Sequence, residues 1–504
     1  VSGGLRAYPR RAEPLLGIAA QGWAWSAGYG ALFLLVALAA RARRGAPQVL
    51  AGDGEAAGHQ PIPARRILLW LALSAVPSGL LLSTTTHLAT DLFAMPLLWV
   101  IPLGLYLLSF VFAFSDTRHV ARWITLATPS MLLLVGGMAM ASRHLPSMIP
   151  ALAACLLLFI VCVALHARLY DLRPHSGQLT LFYFVMSAGG ALGGVFTALV
   201  APLVFDWVWE HPILVFIAAL LMPRLPELDW RRLKGLEPDM AKLGVFALLA
   251  TIAVLAWLLW QEAGQPEPGT MRLVLMLAIC ALGVPLVPWR TLFALVLGLL
   301  MLVQGGLETI ETTLRHERTR SYFGVYTVRD YPDAGLRTLA HGTTLHGEQS
   351  TDPKFRLAPI SYYGPDSGVG IVLSRAQALF GPGARIGVVG LGTGTLACYR
   401  RPGEHWRFFE IDPAVLAYSR NRTFTYLADC APNAAVVLGD ARLKLAELPR
   451  GSLDVLAVDA FSSDAIPLHL LTEEAFGVYL DALSERGLLL VHISNRYIEL
   501  EPVL

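Results

Sequence analysis

The stretch IGVVGLGTGTLACY, Ile386–Tyr399, is a short apolar run that opens into three glycines at alternate positions, Gly390, Gly392 and Gly394. A strand that ends in such a loop and continues into a helix lets its backbone approach a nucleotide closely. Working outward, WRFFEID predicts a second strand ending at Glu410 and Asp412, and AAVVLGDA a third ending at Asp440. LDVLAVDAF predicts a fourth, ending at Asp459, and GLLLVHISN a fifth. Strands that alternate with helices predict a doubly wound, Rossmann-like parallel sheet, which binds ligands at the carboxyl ends of its strands. All the acids just named fall at those ends.

The loop differs from the dinucleotide fingerprint G-x-G-x-x-G. Its spacing is G-x-G-x-G followed by Thr395, so the third glycine is misplaced for close helix packing over a pyrophosphate. An acid about 20 residues on, Glu410, suits ribose hydroxyls, and Asp440 suits an adenine amino group. Two acids and a glycine loop with no phosphate-binding lysine fit a nucleoside without phosphates, hence an S-adenosyl compound rather than NAD or ATP. The candidate cofactor-binding set is Gly390, Gly392, Thr393, Gly394, Glu410, Asp412, Asp440 and Ala441. No metal is expected.

In VDAFSSDAIPLHLLTEEAF, Asp459 ends the fourth strand and Asp464 follows on the loop. Acids around an adenosyl site suit a cationic acceptor such as a polyamine. An attacking amine must be unprotonated, and a carboxylate in hydrogen-bond reach takes or orients its proton, which makes Asp459 the catalytic candidate. Glu473 and Glu474 also read as ordinary first-turn acids of a helix capped by Thr472.

The 504-residue chain is 55% hydrophobic and 15% charged, against about 25% charged in an average soluble protein. The deficit lies before residue 310, so residues 1–310 predict a polytopic helical membrane region, 315–355 a small β-rich lead-in and 356–504 the Rossmann-like domain. The net charge of +2 argues against nucleic acid as a partner. Five cysteines without a C-x-x-C pair read as isolated buried thiols. The chain begins with Val, and no signal peptide precedes its first apolar run, so it reads as a fragment without its N-terminus.

About ten spans are expected, near 21–41, 67–84, 91–114, 120–141, 147–167, 179–204, 207–222, 242–260, 271–287 and 291–308, the seventh and ninth being short. Basic residues gather in alternate loops (Arg41, Arg43, Arg44, Arg65 and Arg66; Arg118 and Arg122; Arg168 and Arg173; Arg224, Arg231, Arg232 and Lys234), which the positive-inside rule places in the cytoplasm. Counting on from there leaves the C-terminal domain outside. A cytosolic cofactor requires it inside, which a re-entrant pair over 271–308, or one span fewer or more than counted, would achieve. The motifs Gly189-x-x-x-Gly193 and Gly190-x-x-x-Gly194 leave packing within one bundle and homodimerisation open. His87 and Asp91, four apart, read either as a substrate or proton site or as solvated groups at a span end, with Glu13, His166 and Asp206 weaker cases.

With these residues the chain resembles the spermidine synthase family of aminopropyltransferases, and more closely the bacterial fusion proteins that join a multi-span, transporter-like region to a spermidine-synthase-like domain. The membrane part of the resemblance rests on SAVPSGLLLSTTTHLATDLFAMPLLWVIPLGLYLLSF and LTLFYFVMSAGGALGGVFTALVAPLVF. The soluble part rests on RSYFGVYTV, LAHGTTLHGEQS, YYGPDSGVG, GVVGLGTGTLA, FFEIDP, GDAR and VDAFSSDAIPLHLLTEEAF. The resemblance implies a multi-pass protein of the bacterial inner membrane; the need for a cytosolic cofactor, rather than the span count, places its transferase domain in the cytoplasm. It further implies decarboxylated S-adenosylmethionine as donor and putrescine as acceptor, with Glu410 on the ribose, Asp440 on the adenine and Asp459 as the catalytic acid. His346, Gln349, Tyr362, Tyr363 and Asp464 would line the amine side.

The sequence departs from that family at three places. Thr393 stands where a G-G-G-D-G-G loop carries an acid for the donor's aminopropyl end, YYGPD replaces Tyr-His-Glu, and Asp459 and Asp464 are spaced more widely. S-adenosylmethionine itself as donor, hence a methyltransferase, is therefore an alternative. So is a transporter or sensor of polyamine-like cations whose Rossmann domain binds an adenosyl ligand without turnover. The chain stops at RYIELEPVL, soon after the fifth strand, and reads as truncated there too.

Overall fold

The computed structural model describes residues 18–45, 62–92, 99–140, 148–230, 238–263, 269–342, 344–460 and 467–492. Residues 1–63 form one compact unit, which contains the apolar helix α1 (Ile18–Gly45). The second unit, residues 64–504, starts with α2 (Ala64–His87), α3 (Val100–Ala113), α4 (His119–Leu134), α5 (Met148–Asp171) and α6 (Leu179–Val195). Helix α6 continues through a π turn at Phe196–Val200. Then come α7 (Glu210–Leu221), α8 (Pro238–Ala263), α9 (Thr270–Gly283), α10 (Arg290–Met301) and, past a kink at Gln304 and Gly305, α11 (Leu307–Leu314).

Every expected span holds an apolar helix. Among the described residues seven helices are long and apolar enough to cross a membrane, while Val100–Ala113, Glu210–Leu221 and Thr270–Leu286 are shorter. The shortness of the third segment was not legible: a π turn at Leu88–Leu92 ends α2, and the next helix begins only at Val100. Asp91 lies in that turn with its side chain outside the described residues, as is Glu13. His87 stacks instead on His211 of α7, ring centroids 4.5 Å apart. His166 Nδ1 pairs with Ser109 Oγ at 2.8 Å, and Asp206 accepts from Trp209 Nε1 at 3.0 Å.

The two glycine motifs behave differently. A Cβ on Gly193 would lie 2.2 Å from Ala75 O, and one on Gly189 2.6 Å from Leu71 O, so this pair seats α6 directly on the backbone of α2. A Cβ on Gly190 meets nothing within 4 Å.

After α11 the chain makes an antiparallel meander, β1 (Arg318–Ser321), β2 (Gly324–Tyr331), β3 (Leu336–His341) and β4 (Thr344–Ser350). Short helices α12 (Gly368–Ser374) and α13 (Ala376–Phe380) precede the doubly wound sheet. Its strands are β5 (Arg385–Val389), β6 (His405–Glu410), β7 (Ala435–Leu438), β8 (Leu453–Val458) and β9 (Leu483–Val491), in the order β7-β6-β5-β8-β9 and all parallel. The connections carry α14 (Pro413–Arg420), α15 (Tyr426–Cys430), α16 (Ala441–Ala446) and α17 (Glu473–Ala482). Alternation along the strands makes two cores. Ile386, Val388, Phe408 and Val455 face one side, and Val389, Phe409, Leu456 and Val458 the other.

The cysteine expectation is corrected in part. Cys155, Cys162 and Cys280 are buried thiols, but Cys398 and Cys430 form a disulfide. The 3₁₀ turn Thr395–Tyr399 packs beside α15 and brings the two Cα atoms to 4.8 Å, across 32 residues of sequence. No local spacing signals a bridge that only tertiary packing creates.

The helical part and the β meander are joined by a buried ion pair. Arg320 of β1 donates from Nη1 and Nη2 to the two carboxylate oxygens of Glu210, both at 2.8 Å, and from Nη1 to Trp207 O at 2.7 Å. The side chains are 5% and 1% exposed. Removing one partner of such a pair leaves an uncompensated buried charge.

Two outcomes are expected in melts of the purified chain. Gly193→Ala lowers the unfolding midpoint, by about 1–3 kcal/mol in stability, whereas Gly190→Ala leaves it unchanged. Arg320→Ala costs about 3–5 kcal/mol, and the double replacement Arg320→Met with Glu210→Leu recovers most of that loss.

Candidate functional site

The carboxyl ends of β5, β6 and β8 open onto a cavity of about 310 Å³. Order β6-β5-β8 makes β5 the strand at which chain direction across the sheet reverses, the place where such sheets bind ligands. Gly390 leaves β5 with φ +94°, and a Cβ there would lie 2.3 Å from Asp459 O. Only glycine fits, so the floor is bare backbone. Gly392 has φ +52° and passes close to His346 O. Both glycines line the cavity.

Glu410 ends β6 and is 7% exposed. Its Oε2 accepts from Leu391 N at 2.9 Å and its Oε1 from Asp412 N at 2.8 Å. Burial pushes its carboxyl above the usual range, against the pull of those amides. Each oxygen keeps a second lone pair, which suits ribose hydroxyls. Asp440 caps α16 through Leu443 N at 3.1 Å and lies 2.9 Å from His469 Nε2. Ala441, Val389, Phe409, Ile411 and Leu470 supply apolar wall. A glycine floor, a buried acid with free lone pairs and apolar walls are the features that a nucleoside-sized ligand requires.

Asp459 sits where this cavity meets a second one of about 580 Å³. Its Oδ2 accepts from the Tyr363 hydroxyl, and its Oδ1 lies 2.7 Å from His492 Nδ1. Burial first, and then the Asp459 charge, hold the Tyr363 phenol protonated far above its ordinary range. Tyr362 lines the second cavity, donates to Leu345 O at 3.3 Å and lies 4.9 Å from the His492 ring. His346 lines the first cavity with a buried Nε2 that no protein group satisfies. Burial, with His341 and His492 nearby, lowers its pKa to about 3, so it is a neutral hydrogen-bonding group.

Four of the expected residues are used elsewhere. Asp412 is 1% exposed, caps α14 through Ala414 N at 2.8 Å and accepts from Ser321 Oγ at 2.5 Å. Gln349 bridges β4 to the segment before α15, with Nε2 on Thr425 Oγ1 at 2.9 Å and Oε1 taking Thr425 N at 3.0 Å. The Thr393 hydroxyl pairs with Thr395 at 2.8 Å and packs on Gly347, while Gly394 turns the chain against Leu427. None of the four lines either cavity. Asp464 lies outside the described residues. His492, His469 and His341 were not singled out. The rule that found the acids, position at a strand's carboxyl end, would also have found His492, the residue that follows β9.

No protein-family model matches the chain, and no curated protein matches it in sequence. Among solved structures it is similar to a probable spermidine synthase from Corynebacterium glutamicum, at 19% identity and a TM-score of 0.29, over 34% of this chain and 62% of that one. It is also similar to a spermidine synthase from Thermotoga maritima, at 19% identity and a TM-score of 0.25, over 34% of this chain and 54% of that one. The chain thus spans little more than half of the solved proteins it matches.

Gly390→Ala is expected to abolish binding of S-adenosyl compounds in calorimetry, because its methyl group collides with the Asp459 carbonyl.

Proposed function

We propose that this chain is a membrane-anchored, spermidine-synthase-like transferase that moves an alkyl group from an S-adenosyl donor to an amine. The observation that carries this reading is the meeting of an adenosyl-shaped cavity with the Asp459–His492 pair. Membrane anchoring is supported by helices that are apolar on both faces. In α8, Ile252, Ala256 and Leu259 are buried while Phe246, Val254 and Trp257 point outward, and an outward apolar surface of that extent suits lipid.

The donor, when bound, supplies a sulfonium-activated carbon and a neutral thioether leaving group. The chain's own groups do the rest. Gly390 and Gly392 give the donor a bare backbone floor, and Glu410 fixes the ribose. Tyr363 and His492 hold the Asp459 carboxylate from both oxygens, so its orientation is set before the acceptor arrives. The Asp459–His492 pair takes the proton that the attacking amine loses as its new N–C bond forms.

Each lining acid already has a protein donor: Glu410 two backbone amides, Asp440 an amide and His469, Asp459 a phenol and an imidazole. With Thr393 turned away from the cavity, the glycine loop offers no carboxylate to the donor's tail. Methyl transfer from S-adenosylmethionine therefore stands beside aminopropyl transfer from its decarboxylated form, and product masses across a panel of amines, putrescine included, tell them apart.

Asp459→Asn and His492→Ala are expected to cut transfer by about 100-fold or more while donor affinity measured by calorimetry changes little. Lack of binding of either donor would overturn the reading. A second reading, a transporter or sensor of polyamine-like cations, is favoured by the buried polar cluster of Ser83, His87 and His211 inside the helical part, where Ser83 Oγ and His211 Nδ1 are 3.2 Å apart. Donor binding without any product, together with polyamine uptake into vesicles that ignores Asp459→Asn, would select it.

A further inference from the structure

The helical part has two chemically different ends. At one, Arg66 donates to Leu172 O at 2.9 Å and Arg118 pairs with Asp171 at 2.8 Å. Arg122 pairs there with Glu227, and Arg168 donates to Leu221 O at 2.6 Å within electrostatic reach of Arg224 and Arg290. Basic side chains that are far apart in sequence thus gather into one belt, at the starts of α2, α4 and α10 and the ends of α5 and α7.

The α/β part is attached at the other end. Helix α2 runs 24 residues, about 36 Å, with Arg66 in its first turn in the belt and His87, which stacks on His211, at its other end. Glu210, beside His211, holds Arg320, while the far end of the same helix α7 carries the Leu221 carbonyl in the belt. Helices α10 and α11 lead from Arg290 in the belt to Glu308, 3.6 Å from Arg329 of β2. The segment 290–314 therefore runs from the belt to the α/β part and does not double back as a re-entrant arm would.

Arginines in short loops stay on the cytoplasmic side, where anionic lipid headgroups meet them. A second, independent observation concerns redox chemistry: Cys398 and Cys430 form a disulfide in the α/β part, and disulfides are rare in the cytosol and persist in oxidising compartments. We propose that the arginine belt rests on anionic lipid at the cytoplasmic face and that the α/β domain, with its ligand site, stands on the opposite, oxidising side of the membrane. This reverses the cytoplasmic placement that a cytosolic donor demands. It goes beyond the transferase reading and does not depend on it: donor binding to purified protein tests that reading, and sidedness tests this one. Its consequence is that whatever the ligand site binds is met outside the cytoplasm.

The test uses the full chain in bacterial cells and a membrane-impermeant maleimide. Cys155, Cys162 and Cys280 are buried and stay silent. Reporters are Arg450→Cys and Glu485→Cys, exposed on the α/β domain, and Asp116→Cys, exposed in the turn beside Arg118. The two domain reporters should label in cells with intact inner membranes, and Asp116→Cys only after lysis. Acid-quenched alkylation should recover Cys398 and Cys430 as a disulfide. Labelling of Asp116→Cys in intact cells with both domain reporters protected would overturn the proposal, as would recovery of Cys398 and Cys430 as free thiols. Using two domain reporters guards against one substitution that fails to fold.

Discussion

The structure depends on one buried ion pair, Arg320 with Glu210. Desolvating two charges is costly, and the cost is offset only where geometry is good and remaining lone pairs are satisfied. Here the guanidinium is bidentate and also bonds the Trp207 carbonyl. The arrangement requires α7 and β1 to meet in one orientation, because a small rotation would strand a charge in an apolar setting. A hydrophobic contact of similar area would tolerate such sliding.

That orientation continues into the ligand site. Ser321, next to Arg320, donates to Asp412, whose backbone amide donates to Glu410, which in turn accepts from Leu391 of the glycine loop. The helical part and the floor of the cavity are therefore linked by consecutive polar contacts. Asp412 serves this chain and the cap of α14, which explains why an acid at a strand end does not face the cavity. A carboxylate there is fully engaged before any ligand arrives.

Much of the fold was legible because it is written in local patterns. Apolar runs named the helices, and short apolar strands ending in glycine or acid named the parallel sheet and its binding edge. What failed to be legible depends on contacts between distant segments. Thr393 and Gln349 occupy positions that suggest ligand contact, yet one packs on Gly347 and the other ties β4 to Thr425. His492 acquires its place only through its contact with Asp459, 33 residues away in sequence, although a histidine at a strand end is as well placed as an acid to move protons.

By itself the sequence determined that an apolar helical half precedes a parallel α/β half with Gly390, Gly392, Glu410, Asp440 and Asp459 at its strand ends. Periodicity and strand-end position are properties of neighbouring residues and need no partner. Tertiary structure alone decided which acids remain for a ligand, which cysteines meet, and at which end of the helices the α/β domain is held. Those outcomes depend on burial and on pairing between segments a hundred residues apart, such as Arg320 with Glu210 and Arg66 with Leu172. A charge that must be satisfied in the interior selects its partner in space, and the chain does not announce that partner locally.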